Sequence, residues 1–231
     1  KNQGEDQENR GREGQEGQEG DKGQEAEEAR RRNPGEIHGD HLMAADWQEG
    51  IVNLWPTAFT QRRLPDHQGP SAELLALVRK MESANRNLTT DYLEPDLFNM
   101  EHGGVDWLRA HINQTVIDYF RYLGIDYPID WTIQGWANIN RFGDYHDAHN
   151  HPRAYLSGSY YVKIPTKMET LKSRRDVRPG CITFYDPRGA VNMNAIRTDP
   201  YVDPEYTLTP EPGMLLMWPS FTHPFVHPTL S

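Results

Sequence analysis

The sequence predicts an α+β fold, mainly β, in which helices come first and a largely antiparallel set of strands follows. Three observations carry this reading. Two stretches between residues 71 and 123 repeat their apolar side chains at helical spacing. Four stretches after residue 128 read as strands, separated by proline, glycine and charged clusters. No helix-length segment lies between those strands, which argues against parallel βαβ units and for an antiparallel sheet, sandwich or barrel.

The elements follow in chain order. Residues 1–33 carry no aromatic side chain and no aliphatic one larger than alanine. Such a segment cannot bury enough apolar surface to offset the entropy of ordering, so a disordered, acidic, Gly/Gln/Glu-rich tail is expected. It has no apolar core of a secretory signal and is rich in glutamate, so it does not read as a targeting peptide. Residues 34–231 are expected to form one domain. Ile51 to Pro56 reads as an opening strand stopped by proline. Ser71 to about Asn85 reads as a helix, with Ser71 as N-cap and Leu74, Leu75, Val78 and Met81 on one stripe. Val105 to Leu123 reads as a longer helix ended by Gly124. His111 falls on its apolar stripe and is expected to be packed or hydrogen-bonded rather than a ligand. The strands are Trp131–Asn140, Ala154–Ile164, Cys181–Tyr185 and Gly213–Trp218. The spacing shows no internal repeat.

Bulk composition excludes several function classes. The 231 residues include 24 basic and 34 acidic side chains, a net charge of −10. That balance disfavours a general nucleic-acid or anionic-membrane surface. No apolar run approaches the roughly 18 residues of a membrane span. One cysteine, Cys181, rules out an intrachain disulfide and suits a cytoplasmic setting. Within its strand pattern Cys181 reads as a small buried side chain. The chain lacks G-x-S-x-G, G-x-x-x-x-G-K, G-x-G-x-x-G, H-E-x-x-H and paired C-x-x-C motifs.

The chemistry concentrates in two histidine-rich stretches, His149-Asn150-His151-Pro152 and Pro219 to Pro228, which holds His223 and His227. Imidazoles at i and i+2 in extended chain point the same way. Pro152 restricts His151 to extended geometry. A third imidazole from a distant strand would complete one face of a metal and leave the other positions open, as in non-haem Fe(II) oxygenases. His146 and Asp147 are alternative ligands in the first stretch, and Asp147 with His149 ranks second as a pair. Gly143-Asp144 reads as turn chemistry. A zinc hydrolase lacks a glutamate base near His149.

At these residues the chain resembles the 2-oxoglutarate- and Fe(II)-dependent dioxygenases, in particular a mainly bacterial and phage branch with an H-x-H-P motif. The matching residues are Trp136-Ala137-Asn138-Ile139-Asn140, His149-Asn150-His151-Pro152, Leu156-Ser157-Gly158-Ser159-Tyr160-Tyr161, Asp186-Pro187-Arg188, and Pro212-Gly213 through Pro219-Ser220 to His223. The resemblance covers roughly residues 50–231. It implies a double-stranded β-helix (a jelly-roll, cupin-like) with helices packed outside and iron at its open end. His149 matches the first ligand, His151 stands where the usual carboxylate stands, and His223 matches the distal histidine. His227 is less well placed.

The resemblance also implies Fe(II) as cofactor, 2-oxoglutarate as cosubstrate, and O2 and a small molecule as partners. No nucleic acid and no membrane are implied, and the tail is compatible with a homodimer. Asn138, Asn140 and Tyr161 are candidate cosubstrate contacts. Tyr160 and Tyr161 alternate, so only one faces inward. The family's arginine for the distal carboxylate follows the distal histidine on the next strand, and this sequence stops before it. The expectation is that the last strand is missing or that another base substitutes, with Arg188 and Arg153 as candidates. Trp136, Tyr155 and Phe184 are candidate pocket walls. The expected reaction is hydroxylation of a small molecule or metabolite intermediate, with release of succinate and CO2. The alternatives are a three-histidine cupin-type dioxygenase that does not use 2-oxoglutarate, and a non-catalytic metal- or ligand-binding jelly-roll.

Overall fold

A computed structural model describes residues 56–85, 87–89, 96–174, 176–188 and 204–231. The expected tail and most of the expected opening strand, residues 51–55, lie outside the described residues. Trp55–Ser231 holds together as one unit.

Its elements are β1 (Thr60–Arg63), α1 (Gln68–Ala84), a short 3-10 turn (Leu97–Asn99), α2 (Gly103–Tyr122), β2 (Leu156–Tyr160), β3 (Ile182–Tyr185), β4 (Glu205–Leu208), β5 (Met214–Pro219) and β6 (His223–Val226). The strands form two antiparallel three-stranded sheets, ordered β1-β5-β2 and β4-β3-β6. The antiparallel pairing is as expected, and β2 to β6 follow the helices, but β1 precedes them and joins the same sheet as β5 and β2.

Strand β5 organises the layers, because its side chains alternate between two cores. Leu215 packs with Leu64, Leu74, Leu97, Val105 and Leu108, under the helices. Leu216 and Trp218 pack with Ile182 and Phe184 of β3, between the sheets. The order is therefore helices, then the β1-β5-β2 sheet, then the β4-β3-β6 sheet. Leu216 is fully buried, and Phe59 packs against both Phe184 and Trp218, with ring centroids 4.8 and 6.4 Å away.

Helix α1 starts earlier than the sequence suggests. Its N-cap is His67, not Ser71, and Pro70 sits in its first turn, where a missing N–H costs nothing. Ser71 instead lies inside the helix, and its hydroxyl meets Tyr160 Oη at 2.6 Å. Helix α2 matches its expected span. Gly124 follows it at φ +75°, the left-handed position glycine tolerates. His111 Nδ1 donates to Trp107 O at 2.9 Å, as expected of a packed histidine.

The expected strand at Trp131–Asn140 belongs to neither sheet. Its backbone is satisfied elsewhere. Gly135 N donates to Asp96 Oδ1, Gly135 O accepts from Leu97 N, and Ile139 N and O both bond Thr89 Oγ1. The Asp96 and Thr89 side chains, with the Leu97 backbone, have replaced the ladder partner. Three strands escaped the sequence reading: β1, β4 and β6 are each four residues long. Cys181 borders β3, half-buried, with Sγ 3.4 Å from Thr209 Oγ1.

Candidate metal centre

The H-x-H stretch is a loop lashed to the second histidine stretch by backbone hydrogen bonds. His146 pairs with Val226 as an isolated bridge, His149 N donates to Pro224 O at 3.3 Å, and His151 N donates to Ser220 O at 3.4 Å. The turn before it is built as expected, with Gly143 at φ +88° and Asp144 Oδ2 accepting from Arg141 N at 2.7 Å.

The rings of His149 and His151 stack with centroids 5.2 Å apart and an interplanar angle of 27°. The two rings thus lie on the same side of the loop. His149 Nδ1 lies 2.6 Å from Asp147 O. A carbonyl only accepts, so Nδ1 carries the hydrogen and Nε2 presents its lone pair. His151 Nδ1 lies 3.0 Å from Ser157 Oγ, a hydroxyl that can donate or accept, so this contact alone does not fix the tautomer. Burial, and then the neighbouring His149, hold the pKa of His151 below the usual histidine value. A histidine kept neutral is a competent metal donor.

The distal histidine is not gathered with them. His223 lies at the start of β6, and its Nε2 stands 3.5 Å from Asn150 Nδ2, the side chain between the two paired histidines. Among the described residues no group of three His, Cys, Asp or Glu side chains is placed to hold a metal. The imidazole donors suit Fe(II) in chemistry, and His149 and His151 share an orientation, but the three histidines are not assembled into a closed ligand set.

The other candidates are held by partners elsewhere or stand in solvent. His146 Nε2 is bonded to Asn140 Oδ1 at 2.9 Å, and burial lowers its pKa, with His149 adding to the effect. Asp147 spends its carboxylate on Ala148 N at 2.8 Å. Asn138 is exposed. Tyr161 lies on the inter-sheet side, packed against the Phe184 and Trp218 core, while Tyr160 faces the helices. Burial raises the Tyr161 pKa and keeps its hydroxyl protonated. His227 is 4 % exposed, with Nε2 2.7 Å from Thr183 Oγ1 and Nδ1 accepting from Arg178 N at 3.2 Å. Both ring nitrogens are occupied by the protein.

Arg188 lies against Asp186, with its Nη2 2.5 Å from Oδ2 and its Nε 3.0 Å from Oδ1. Arg153 is exposed. Phe184 does not wall a pocket: it is core, 4 % exposed. Trp136 stands beside His151, with ring centroids 5.7 Å apart. Tyr155 is exposed and borders a cleft of about 430 Å3 that runs past His151, Asn150 and Ser220. Tyr119 and Phe221 form other walls. Among the described residues the lining carries no Asp, Glu, Lys or Arg. Burial pushes the Tyr119 hydroxyl up to about 12, so this wall is neutral too. A second hollow, about 560 Å3 around Lys163–Lys167, includes none of the histidines.

Sequence reasoning missed Ser157 and Ser220 as site residues. Both are buried, and their hydroxyls are 2.7 Å apart. Serines in the S-G-x-Y-Y and P-S runs were the available signal, but nothing local says that they meet.

Fold and geometry together describe an α+β protein with antiparallel sheets and two stacked imidazoles, His149 and His151, beside a cleft whose lining carries no Asp, Glu, Lys or Arg. Residues 134–231 match the family model described as "Putative 2OG-Fe(II) oxygenase". The match contains every residue from Asn138 to His223 discussed above, and it supports the resemblance to the 2OG-Fe(II) oxygenases. That family implies an oxygenase with Fe(II), 2-oxoglutarate, O2 and a small-molecule substrate. No curated protein matches the chain. Among the described residues no helix is long and apolar enough to cross a membrane.

Proposed function

We propose that this protein is an Fe(II)- and 2-oxoglutarate-dependent oxygenase that hydroxylates an uncharged small molecule, with succinate and CO2 as co-products. The observation that carries the reading is the His149–His151 pair, stacked at 5.2 Å within the family-matched segment. His149, His151 and His223 would hold the metal. Bound Fe(II) supplies the coupling between 2-oxoglutarate decarboxylation and substrate oxidation. Asn138, Asn140, Tyr161 and Arg188 are the proposed cosubstrate contacts, and Arg188 would have to exchange Asp186 for the cosubstrate carboxylate. The neutral cleft would orient the substrate against His151 and limit water. We read residues 1–33 as a tail, residues 34–231 as one domain, and the two sheets as the faces of a double-stranded β-helix.

A second reading is a three-histidine dioxygenase that does not use 2-oxoglutarate. It is favoured by His151 in the carboxylate position and by an Asp147 carboxylate that accepts from Ala148 N.

The test is aerobic turnover of 2-oxoglutarate with Fe(II), scored as succinate. Fe(II)-dependent succinate from the native protein, abolished in His149→Ala, is the expected result. O2 uptake with substrate but no succinate would favour the second reading. Iron bound at full occupancy by His149→Ala would overturn the ligand assignment.

A further inference from the structure

Ser157 and Ser220 come from opposite ends of the site. Ser157 lies in β2, Ser220 in the turn after β5, and 63 positions separate them. Their exposures are 7 % and 4 %, and no water is needed to explain their contact: Oγ meets Oγ at 2.7 Å. The chain continues from Ser157 Oγ to His151 Nδ1 at 3.0 Å. The backbone runs parallel to it, since His151 N donates to Ser220 O and Ser220 N donates to Tyr155 O.

The two histidines of the pair are controlled in different ways. His149 Nδ1 faces a carbonyl, which fixes its tautomer. His151 Nδ1 faces a hydroxyl, which can donate or accept. Ser157 has one hydrogen to donate and can accept more than one. If it donates to His151 Nδ1, a neutral ring carries its hydrogen on Nε2, and that nitrogen cannot bind a metal. If it accepts from Nδ1, Nε2 is bare. The role Ser157 takes decides whether His151 Nε2 is open to a metal.

We propose that Ser157 and Ser220 are positioning residues for His151. In the metal-bound protein they form a two-hydroxyl relay that takes the Nδ1 hydrogen and leaves Nε2 to the ion. This rests on the reading of His149 and His151 as metal ligands. Ser157 accepts from Nδ1, and Ser220 accepts from Ser157. Loss of such a partner typically weakens metal binding about 10–100-fold.

The test is Co(II) titration of the metal-free protein, followed by visible absorption, in the native chain, Ser157→Ala, Ser220→Ala and Ser157→Thr. Nitrogen-15 spectra of the histidine rings with Zn(II) bound give a second readout. The expected result is about a 10–100-fold weaker Co(II) affinity in Ser157→Ala, a smaller loss in Ser220→Ala, and recovery in Ser157→Thr, which keeps a hydroxyl and suits a strand. The Zn(II)-bound native protein should show His151 with its hydrogen on Nδ1. Urea melts of the metal-free variants check that each is folded. Unchanged affinity in a folded Ser157→Ala, or His151 bound to Zn(II) through Nδ1, would overturn the inference while leaving the metal site standing. A native protein that binds neither Co(II) nor Zn(II) would overturn both.

Discussion

Replacing Gly158 with alanine drives a methyl group into the backbone of β5. A Cβ built at Gly158 would lie 2.7 Å from Leu216 O, closer than folded proteins tolerate, and the obstacle is main chain rather than a movable side chain. Gly158 pairs with Met217 in the β2–β5 ladder, next to Ser157 opposite Trp218. Two effects oppose each other. Forcing extra volume into a packed site costs about 1–3 kcal/mol. Alanine in a strand interior regains about 0.5–1 kcal/mol relative to glycine. The clash is with main chain, so it wins, leaving a net loss of up to about 2.5 kcal/mol. For a domain of this size that lowers Tm by up to about 10 °C. Urea unfolding followed by tryptophan fluorescence measures it. A Gly158→Ala variant as stable as the native chain, or more so, would refute the close approach of β2 to β5.

Other perturbations test other parts of the fold. Leu216→Ala empties a fully buried position between the sheets and should cost about 2–5 kcal/mol in urea unfolding; a loss under 1 kcal/mol would mean the two sheets do not share that core. Arg62 reaches Asp118 at 3.0 Å, but both are about one-third exposed, so Arg62→Gln should cost less than about 1 kcal/mol. Acidification from neutral pH should destabilise the protein through its histidines. Burial, with Arg178 second, lowers the pKa of His227, and His146 and His151 shift the same way. Between the folded and unfolded values the unfolded chain holds more protons, so stability rises with pH and falls as pH drops below about 6.5. Urea melts from pH 7.5 to 5 should show that fall, and His227→Gln should make it shallower; an identical slope in the variant would contradict the assignment.

Legibility in the sequence followed the range of the physical signal. Helix α2 was readable because twenty residues of periodicity outweigh any local ambiguity. Strands β2, β3 and β5 were readable because each carries aromatic or branched residues between glycine and proline. Strands β1 and β4 were not, since Thr60-Gln61-Arg62-Arg63 and Glu205-Tyr206-Thr207-Leu208 are short and polar and are made into strands by their partners. Trp131–Asn140 misled because strand-like composition cannot reveal that Asp96 and Thr89 take the ladder's place. Within the site, the His149–His151 pairing joins residues two positions apart and was legible. The Ser157–Ser220 contact and the burial of His227 depend on residues dozens of positions apart, and no local pattern encodes them. The distance between His223 and the pair is likewise a tertiary matter.

The most direct test of the account is anaerobic titration of the metal-free protein with Fe(II) and then 2-oxoglutarate, followed by visible absorption. Chelation of 2-oxoglutarate by protein-bound Fe(II) produces a weak charge-transfer band. The account predicts a band that saturates with 2-oxoglutarate in the native chain and is absent in His149→Ala. Fe(II) binding with no band at any 2-oxoglutarate concentration would contradict the proposed cosubstrate, and no Fe(II) binding at all would contradict the site itself.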